Sequence, residues 1–213
     1  MNQYNLNFNN KVSFSQDNFL VSDSNKLAYQ FLIDTSIDEN NILLLGPNKS
    51  GKSHLANIWC VKNNALEISL NETNIKNIGM INQNILIDNF LNDINEEKLF
   101  HIINDFKQKN KKILLTTSNK PSNFKFSLKD LSSRIKSFHL IKINMPDDYL
   151  LSNLIIKLFN DKQLKIKNKD VINYIVSHIE RSFDSVYTVV KKIDDYSLSN
   201  SRDITIPLIK EII

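Results

Sequence analysis

The clearest chemical pattern in the sequence is an eight-residue segment, Gly46-Pro47-Asn48-Lys49-Ser50-Gly51-Lys52-Ser53, which follows the aliphatic run at 42–45. It reads G-x-x-x-x-G-K-S. A loop that wraps a phosphate turns successive backbone N–H groups inward, and glycine permits conformations and close approaches that a Cβ would obstruct. In such a loop Lys52 reaches the β- and γ-phosphates and the Ser53 hydroxyl ligates Mg²⁺. Two of the 3 glycines of the chain lie here, which favours a nucleotide site over the alternative of an ordinary glycine turn.

Two polar residues at the ends of later apolar runs are expected beside this loop. Asp88 follows 85–87 and Asn119 follows a run that begins at Ile113. Continuous apolar strands are typical of a parallel sheet buried on both faces, and ligands bind at the carboxyl ends of such strands. We therefore predict that Asp88 holds Mg²⁺ through a water and that Asn119 faces the γ-phosphate or the attacking water.

Strand and helix patterns alternate as far as residue 143, and the remainder reads as helices. Strands are predicted at 42–45, 66–70, 85–88, 113–119 and 139–143. Helices are predicted at 24–32 with Ser24 as a cap, 52–61, 96–109, 128–135 and 146–159, followed by three more at 168–179, 183–198 and 204–213. The sequence thus predicts an α/β domain with a boundary near 145–147 and an all-α C-terminal part.

Composition narrows the classes of protein. The 213 residues are 41% hydrophobic and 23% charged, which is ordinary for a globular protein. No apolar run approaches the roughly 18 residues of a membrane span, and the polar N-terminus has no signal-peptide character. The single cysteine, Cys60, excludes an intrachain disulfide and favours a cytosolic setting. The net charge of +4 is dispersed, so it does not predict a nucleic-acid site.

The first residues contain an isolated Q-x-x-L-x-F pattern at Gln3, Leu6 and Phe8. A glutamine amide followed by two apolar side chains suits an extended peptide that docks into a polar notch and an adjacent hydrophobic pocket. The alternative is a frayed terminus.

The order and spacing of these motifs resemble the AAA+ ATPases of the bacterial replication-initiator group. The resemblance is closer to the short DnaA-homologous regulators of the Hda type, and it extends over essentially the entire chain. The matching stretches are 19–21 with 24–25, the P-loop 46–53, Asp88, 117–119, 131–134, 146–151 and 179–183.

The resemblance implies an α/β fold in which a P-loop AAA+ core has a five-stranded parallel sheet of order 5-1-4-3-2, with a small C-terminal helical lid. It divides the chain into a flexible N-terminal clamp-binding peptide at 1–12, a nucleotide-binding domain at 13–145 and a lid at 146–213.

The resemblance also assigns roles to residues. Asn119 matches sensor 1, and Arg181 matches the sensor 2 arginine that reaches back from the lid to the nucleotide. Arg134 matches an arginine finger that acts on a neighbouring subunit; the alternative for it is a surface salt bridge at a helix end. The resemblance assigns an adenine pocket to Phe19, Val21 and Asn25. It assigns nucleotide contacts to the whole P-loop, residues 46–53, together with His54. It assigns clamp binding to Gln3, Leu6 and Phe8.

The function implied by the resemblance is control of chromosomal replication in the bacterial cytoplasm. Such a protein binds ADP or ATP with Mg²⁺, docks on the β sliding clamp of DNA polymerase, and supplies Arg134 to the ATP held by the initiator DnaA, which prevents re-initiation. DNA is expected to be contacted only through the clamp, no membrane is involved, and assembly into a homo-oligomer is compatible with the family.

Two departures from the initiators matter. Asn89 stands where they carry a second acid, and because an asparagine cannot take a proton from water, we expect weak or no intrinsic ATPase activity. The connection at 71–84 is far shorter than the initiator segment that contacts single-stranded DNA, which argues against origin recognition by this chain alone. Two alternatives remain open: an autonomous AAA+ ATPase or loader in replication, and a nucleotide-independent DNA or clamp adaptor.

Overall fold

The computed structural model describes residues 15–37, 39–70, 78–90, 94–164, 166, 168, 170–200 and 204–213. Gln3, Leu6 and Phe8, predicted to bind the clamp, lie outside the described residues.

A five-stranded parallel sheet forms the centre of the chain. Its strands are β1 (Asn41–Leu45), β2 (Ala65–Glu67), β3 (Asn84–Ile87), β4 (Ile113–Thr117) and β5 (His139–Lys142). They lie in the order β2-β3-β4-β1-β5. Read from the other edge this is 5-1-4-3-2, so the predicted order is confirmed. Strand β1 lies between β4 and β5, and its Leu43 pairs with Leu115 of β4 and with Leu140 of β5.

The central strands are buried because their aliphatic side chains are covered on both faces. Leu43, Leu44, Leu86 and Leu115 are all 1% exposed or less. At the β2 edge the observed strand begins one residue earlier and ends three residues earlier than the predicted 66–70. Leu66 in this edge strand is 44% exposed, since only one neighbouring strand covers it.

Among the described residues, four helices flank the sheet: α1 (Lys26–Ile33), α2 (Lys52–Lys62), α3 (Glu96–Gln108) and α4 (Lys129–Lys136). Short 3₁₀ turns occupy Gln16–Asn18 and Pro121–Asn123. The N-cap position of α1 is Asn25, not the predicted Ser24, whose hydroxyl instead contacts the Ser22 hydroxyl at 2.8 Å.

The C-terminal part contains α5 (Asp148–Asp161), α6 (Asp170–His178), α7 (Phe183–Asn200) and α8 (Ile206–Ile212). None of the described helices is long and apolar enough to cross a membrane.

The buried apolar side chains of the described residues form three clusters. One lies between the sheet and α3 and α4, and includes Leu99, Phe106 and Leu131. A second lies on the opposite face of the sheet beneath α1 and α2, and includes Trp59. The third, which includes Ile175, draws its members from 151–212 alone. The C-terminal helices therefore have a hydrophobic core of their own. The boundary between the α/β domain and these helices, the lid, lies beside the P-loop.

Candidate nucleotide-binding site

The P-loop leaves the end of β1 and turns directly into α2. Gly51, at the start of that helix, has φ +87°, in the left-handed region, and a Cβ there would lie 3.2 Å from Cε2 of Phe19. A Cβ on Gly46 would lie 2.8 Å from the Ser50 hydroxyl. Both glycines are therefore needed for this loop, Gly46 by lack of space and Gly51 by conformation.

Lys52 occupies the inside of the loop. It is 5% exposed, and its ammonium donates to the carbonyls of Gly46 at 3.0 Å and Pro47 at 2.8 Å and to the Ser118 hydroxyl at 2.9 Å. Burial lowers the pKa of Lys52, and the charge of Asp88 partly opposes this shift. The ammonium is thus satisfied by neutral oxygens that a phosphate oxygen, a stronger acceptor, can replace.

Ser53 and Asp88 are in direct contact. The Ser53 hydroxyl donates to Oδ2 of Asp88 at 2.7 Å, while the Thr116 hydroxyl donates to Oδ1. The structure thus brings together the hydroxyl and the carboxylate predicted for Mg²⁺. Oxygen donors of this kind fit Mg²⁺, which takes one or two carboxylates, keeps several waters and binds substrate phosphates.

Asn89 lies beside this pair in a left-handed conformation, with φ 52°. Its backbone N–H donates to the Thr116 hydroxyl at 2.9 Å, and its side-chain amide donates to Asp88 at 3.1 Å. An amide can orient a carboxylate or a water but has no basic form at neutral pH. The position next to Asp88 is therefore suited to holding the site and not to removing a proton.

Beyond β4, the structure gives a role to a residue that sequence reasoning missed. Ser118 accepts from Lys52 and donates to Oδ1 of Asn48 at 2.7 Å, so it joins the strand end to the P-loop. The predicted Asn119 follows it, with its backbone N–H on the Thr117 hydroxyl at 3.0 Å. The sequence signal for Ser118 is the run of small polar residues at the end of the strand, 117–119.

A cavity of about 460 Å³ opens in front of the loop, within the size range of small-molecule sites. Its core side consists of 48–54 and Asn89, and its lid side is formed by Leu154, Lys157, Leu158, Asp161 and Tyr187. These lid residues were not predicted to line the cavity, because nothing in the sequence marks which side chains of α5 and α7 turn toward the P-loop.

The predicted adenine pocket is only partly assembled. Phe19 and Asn25 line a smaller adjoining cavity of about 90 Å³, and Phe19 stacks on Tyr29 at 5.5 Å between ring centroids. Val21, 38% exposed, lines neither of these two cavities in the described part of the chain. The Asn25 side chain bonds the Ser22 N–H and the Leu20 carbonyl, so it shapes the segment that carries Phe19.

His54 joins the P-loop helix to the segment before α1. Its Nε2 contacts the Ser15 carbonyl at 2.9 Å, and its ring meets Phe19 edge to face at 5.3 Å. Burial lowers the pKa of His54, the Ser15 carbonyl opposes this, and the charge of Lys157 adds to the lowering. His54 is therefore predominantly neutral at pH 7 and acts here as a packing and hydrogen-bonding group.

The lid reaches the P-loop through charged side chains. Lys157 of α5 donates to the Asn18 carbonyl at 2.7 Å. Lys49, left-handed with φ 58°, pairs with Asp184 of α7 at 3.0 Å, and its ammonium lies 5.2 Å from the Tyr187 ring centroid. These contacts link the nucleotide loop to the lid.

Arg181, predicted to reach the nucleotide, is placed elsewhere. Its guanidinium donates to both carboxylate oxygens of Asp148, at 2.9 and 3.0 Å, and it lines a separate lid cavity with Ser152, Asn173 and Ser177. It does not line either P-loop cavity in the described structure. The difference from the prediction has a physical reason: the planar fork of arginine matches a carboxylate in two parallel hydrogen bonds, and Asp148 at the start of α5 offers one.

Arg134 lies in the last turn of α4, between Leu131 and Ile135, both buried. It is itself half-buried. Among the residues that the structure describes, its guanidinium has no salt-bridge partner. The surface salt bridge considered as the alternative is thus not seen in this part of the chain.

Comparison with known proteins gives matches of three kinds: to a family, to a curated relative and to solved structures. Residues 160–213 match the family described as Hda, lid domain. The chromosomal replication initiator protein DnaA of Campylobacter jejuni is 27% identical over 231 residues, covering 94% of this chain and 52% of the initiator. The chain thus spans about half the length of the curated relatives it matches.

Domain III of the replication initiation protein DnaA from Thermotoga maritima has the same fold, with a TM-score of 0.75 at 18% identity over 94% of this chain and 97% of that chain. The AMPPCP-bound DnaA from Aquifex aeolicus follows with a TM-score of 0.69 at 18% identity, over 88% of this chain and 68% of that chain. The fold and the sequence matches point to the same group of proteins.

Proposed function

Because the chain is a DnaA-related AAA+ protein whose C-terminal segment is of the Hda type, we propose that it regulates replication initiation by binding adenine nucleotide and stimulating hydrolysis of the ATP held by DnaA. The observation that carries this proposal is the formed P-loop site: Lys52 lies inside the loop and Ser53 is hydrogen-bonded to Asp88. A DnaA of the same fold binds the ATP analogue AMPPCP, which supports ADP or ATP with Mg²⁺ as the ligand here.

Hydrolysis by this chain alone is slow in this proposal. Asn89, which donates to Asp88, supplies no base beside the Mg²⁺ ligands. Lys52 and the loop amides bind the phosphates, while Ser53 and Asp88 hold the metal, which supplies charge neutralisation. Bound nucleotide then serves to hold the core and lid in position.

The catalytic contribution is Arg134, acting on a neighbouring molecule. A guanidinium is permanently charged and planar, and it stabilises the charge that spreads over a transferring phosphoryl group. An arginine finger supplied in this way raises hydrolysis rates by about 10³ to 10⁵. A protein with little activity of its own can therefore switch off the initiator, which prevents re-initiation.

The sequence pattern at Gln3, Leu6 and Phe8 supports docking on the β sliding clamp. Tethering at a clamp raises the effective concentration of Arg134 near newly loaded replication forks. In this scheme DNA is reached through the clamp, the protein acts in the bacterial cytoplasm, and residues 1–12, 13–145 and 146–213 are the clamp peptide, the nucleotide-binding domain and the lid.

The decisive experiment replaces Arg134 by alanine and compares it with Lys136→Ala. Lys136 is an exposed cation in the same last turn of α4 and is a matched control for charge and helix propensity. Single-turnover hydrolysis of DnaA-bound ATP is measured in the presence of clamp loaded on DNA. We expect Arg134→Ala to lower the stimulated rate by about 10³-fold or more and Lys136→Ala to leave it within about twofold. A full rate with Arg134→Ala contradicts the proposal.

Clamp docking is tested separately by a pull-down with the β clamp. Replacement of Gln3, Leu6 and Phe8 by alanine is expected to abolish binding, whereas Asn7→Ala, between the two apolar positions, preserves it. Equal binding by both variants removes the clamp from the proposal.

One observation favours an autonomous ATPase as a second candidate. Asp161 of α5 lines the same cavity as Asn89, and its charge contributes, after burial, to raising the pKa of Tyr187. A lid carboxylate is thus available near the P-loop. Steady-state turnover by the purified chain that disappears in Asp161→Asn supports this second candidate, and turnover near background supports the regulator.

A further inference from the structure

Helix α4, which carries Arg134, is short and lacks a cap of its own. It has 8 residues, and its N-cap residue Leu128 makes no side-chain cap hydrogen bond. Isolated helices of this length are marginal in water, and the first N–H groups of any helix need acceptors from outside it. The start of α4 therefore depends on another part of the chain.

That acceptor is Glu96, the first residue of α3. Its Oε1 accepts the Ser127 N–H at 2.9 Å, and its Oε2 accepts the Leu128 N–H at 2.7 Å. The two partners lie 31 and 32 residues further along the chain. Both oxygens of one carboxylate are thus committed to the backbone where α4 begins.

The electrostatics of this contact are favourable at two helix ends. Glu96 lies in the first turn of α3, where Asn95 accepts the Lys98 N–H at 2.9 Å, and it also faces the start of α4. A negative charge is stabilised at a helix N-terminus. The two backbone hydrogen bonds lower the pKa of Glu96, which keeps the carboxylate charged in the physiological range.

Apolar contacts fix the rotation of α4 but leave its lengthwise position less restricted. Leu131 and Ile135 bury one side of the helix, and the preceding connection packs Phe124 edge to face on Phe90 at 5.4 Å. Such contacts are non-directional and roughly proportional to area. The two hydrogen bonds from Glu96 are directional, so they define where the helix starts and how far Arg134 projects.

We propose that Glu96 is a positioning residue for Arg134: by holding the Ser127 and Leu128 N–H groups it sets the start of α4 and the place of the guanidinium six residues later. This inference rests on the proposed function of Arg134. It adds a residue outside the P-loop whose effect on a partner's hydrolysis passes through the backbone.

The test compares Glu96→Gln and Glu96→Ala with Glu97→Gln and Glu97→Ala. Glu97 is exposed in the same first turn of α3, so it matches Glu96 in charge and in its effect on that helix. Unlike Glu96, it has no hydrogen bond to the start of α4 among the described residues. The first measurement is amide hydrogen exchange at Ser127, Leu128 and α4. The second is hydrolysis of DnaA-bound ATP as a function of the concentration of this protein, with Arg134→Ala in parallel.

We expect faster exchange at 127 and 128 in both Glu96 variants. The maximal stimulated rate is expected to fall about tenfold in Glu96→Ala and less in Glu96→Gln, which retains one acceptor. The concentration for half-maximal stimulation stays unchanged, because binding surfaces elsewhere are intact. Both Glu97 variants match the unsubstituted chain.

Different outcomes separate the two proposals. A normal maximal rate in Glu96→Ala, when Arg134→Ala has lost activity, overturns the positioning role alone. An equal loss in the Glu97 variants, or a raised half-maximal concentration at an unchanged maximum, overturns it as well. Undiminished activity of Arg134→Ala overturns the proposed function, whatever the exchange rates show.

Discussion

Replacement of each of the 3 glycines of the chain by alanine tests whether the P-loop has the backbone described above. Gly46 and Gly51 lie in the loop and Gly79 lies outside it. A Cβ on Gly79 meets nothing within 4 Å, and this residue is the matched control.

The structure predicts a different energy for each site. At Gly51 the φ of +87° costs a residue with a Cβ about 1–2 kcal/mol, and the contact with Phe19 adds to this. At Gly46 the new carbon would overlap the Ser50 hydroxyl and touch Cβ of Ile143 at 3.0 Å, an overpacking that costs about 1–3 kcal/mol. At Gly79 alanine restricts the unfolded chain and is neutral or stabilising by about 0.4–1 kcal/mol.

Thermal unfolding and titration with labelled ADP measure these effects. For a chain of this size, 1–2 kcal/mol at Gly51 corresponds to about 2–8 °C in the unfolding midpoint temperature. If the loop relieves the strain by leaving this geometry, nucleotide affinity falls by about 5- to 30-fold. Gly79→Ala is expected to keep the affinity and to keep or slightly raise the stability. Equal stability and equal affinity in Gly51→Ala and Gly79→Ala would refute the assigned loop conformation.

Three further changes test other parts of the structure. Lys52→Ala is expected to weaken nucleotide binding by about 100-fold, measured by the same titration, whereas Lys62→Ala at the other end of α2 leaves it unchanged. Burial raises the pKa of Cys60 to about 12, so roughly one thiol in ten thousand is ionised at pH 8; maleimide labelling should be slow in the folded chain and fast in urea, and rapid labelling without urea contradicts the burial. The pKa of Glu96 is lowered below its ordinary value of 4.5, so its stabilising contribution is present above about that pH and disappears as the pH falls through the folded-state value. The difference in urea midpoint between the unsubstituted chain and Glu96→Gln should therefore shrink under acid, and a pH-independent difference argues against the two hydrogen bonds.

The sequence was sufficient for the parts of the fold that depend on local pattern. The aliphatic runs at 42–45, 85–87 and 113–115 became the buried central strands, because a strand covered on both faces needs apolar residues at every position. The glycine spacing at 46–53 predicted the position of the loop, because the backbone of the loop itself requires glycine at these positions. The ends of the elements were predicted less accurately. At β2 the last predicted residues lie past the end of the strand, where only the Ile68 N–H still donates to β3, to the carbonyl of Leu86.

The sequence was insufficient where a side chain chooses among distant partners. Arg181 and Lys157 are both lid cations, and nothing local distinguishes the one that pairs with Asp148 from the one that lines the P-loop cavity. Their separation is decided by the packing of α5 against α7, which turns Asp148 toward one surface and Lys157 toward another. The same holds for Glu96, whose partners lie 31 and 32 residues away.

These distant contacts carry an implication for how nucleotide and lid act on each other. Lys49 belongs to the P-loop yet is held by Asp184 of the lid, and Lys157 belongs to the lid yet is held by Asn18 of the core. Both cations border the cavity in which phosphates are proposed to bind. An anion there competes with the Asn18 carbonyl for Lys157 and with the Asp184 carboxylate for Lys49. A phosphate is a stronger acceptor than the neutral carbonyl of Asn18, whereas Asp184 is itself charged. In the proposed binding mode the phosphates take Lys157 from the Asn18 carbonyl, so the position of the lid and the occupancy of the site are thermodynamically linked.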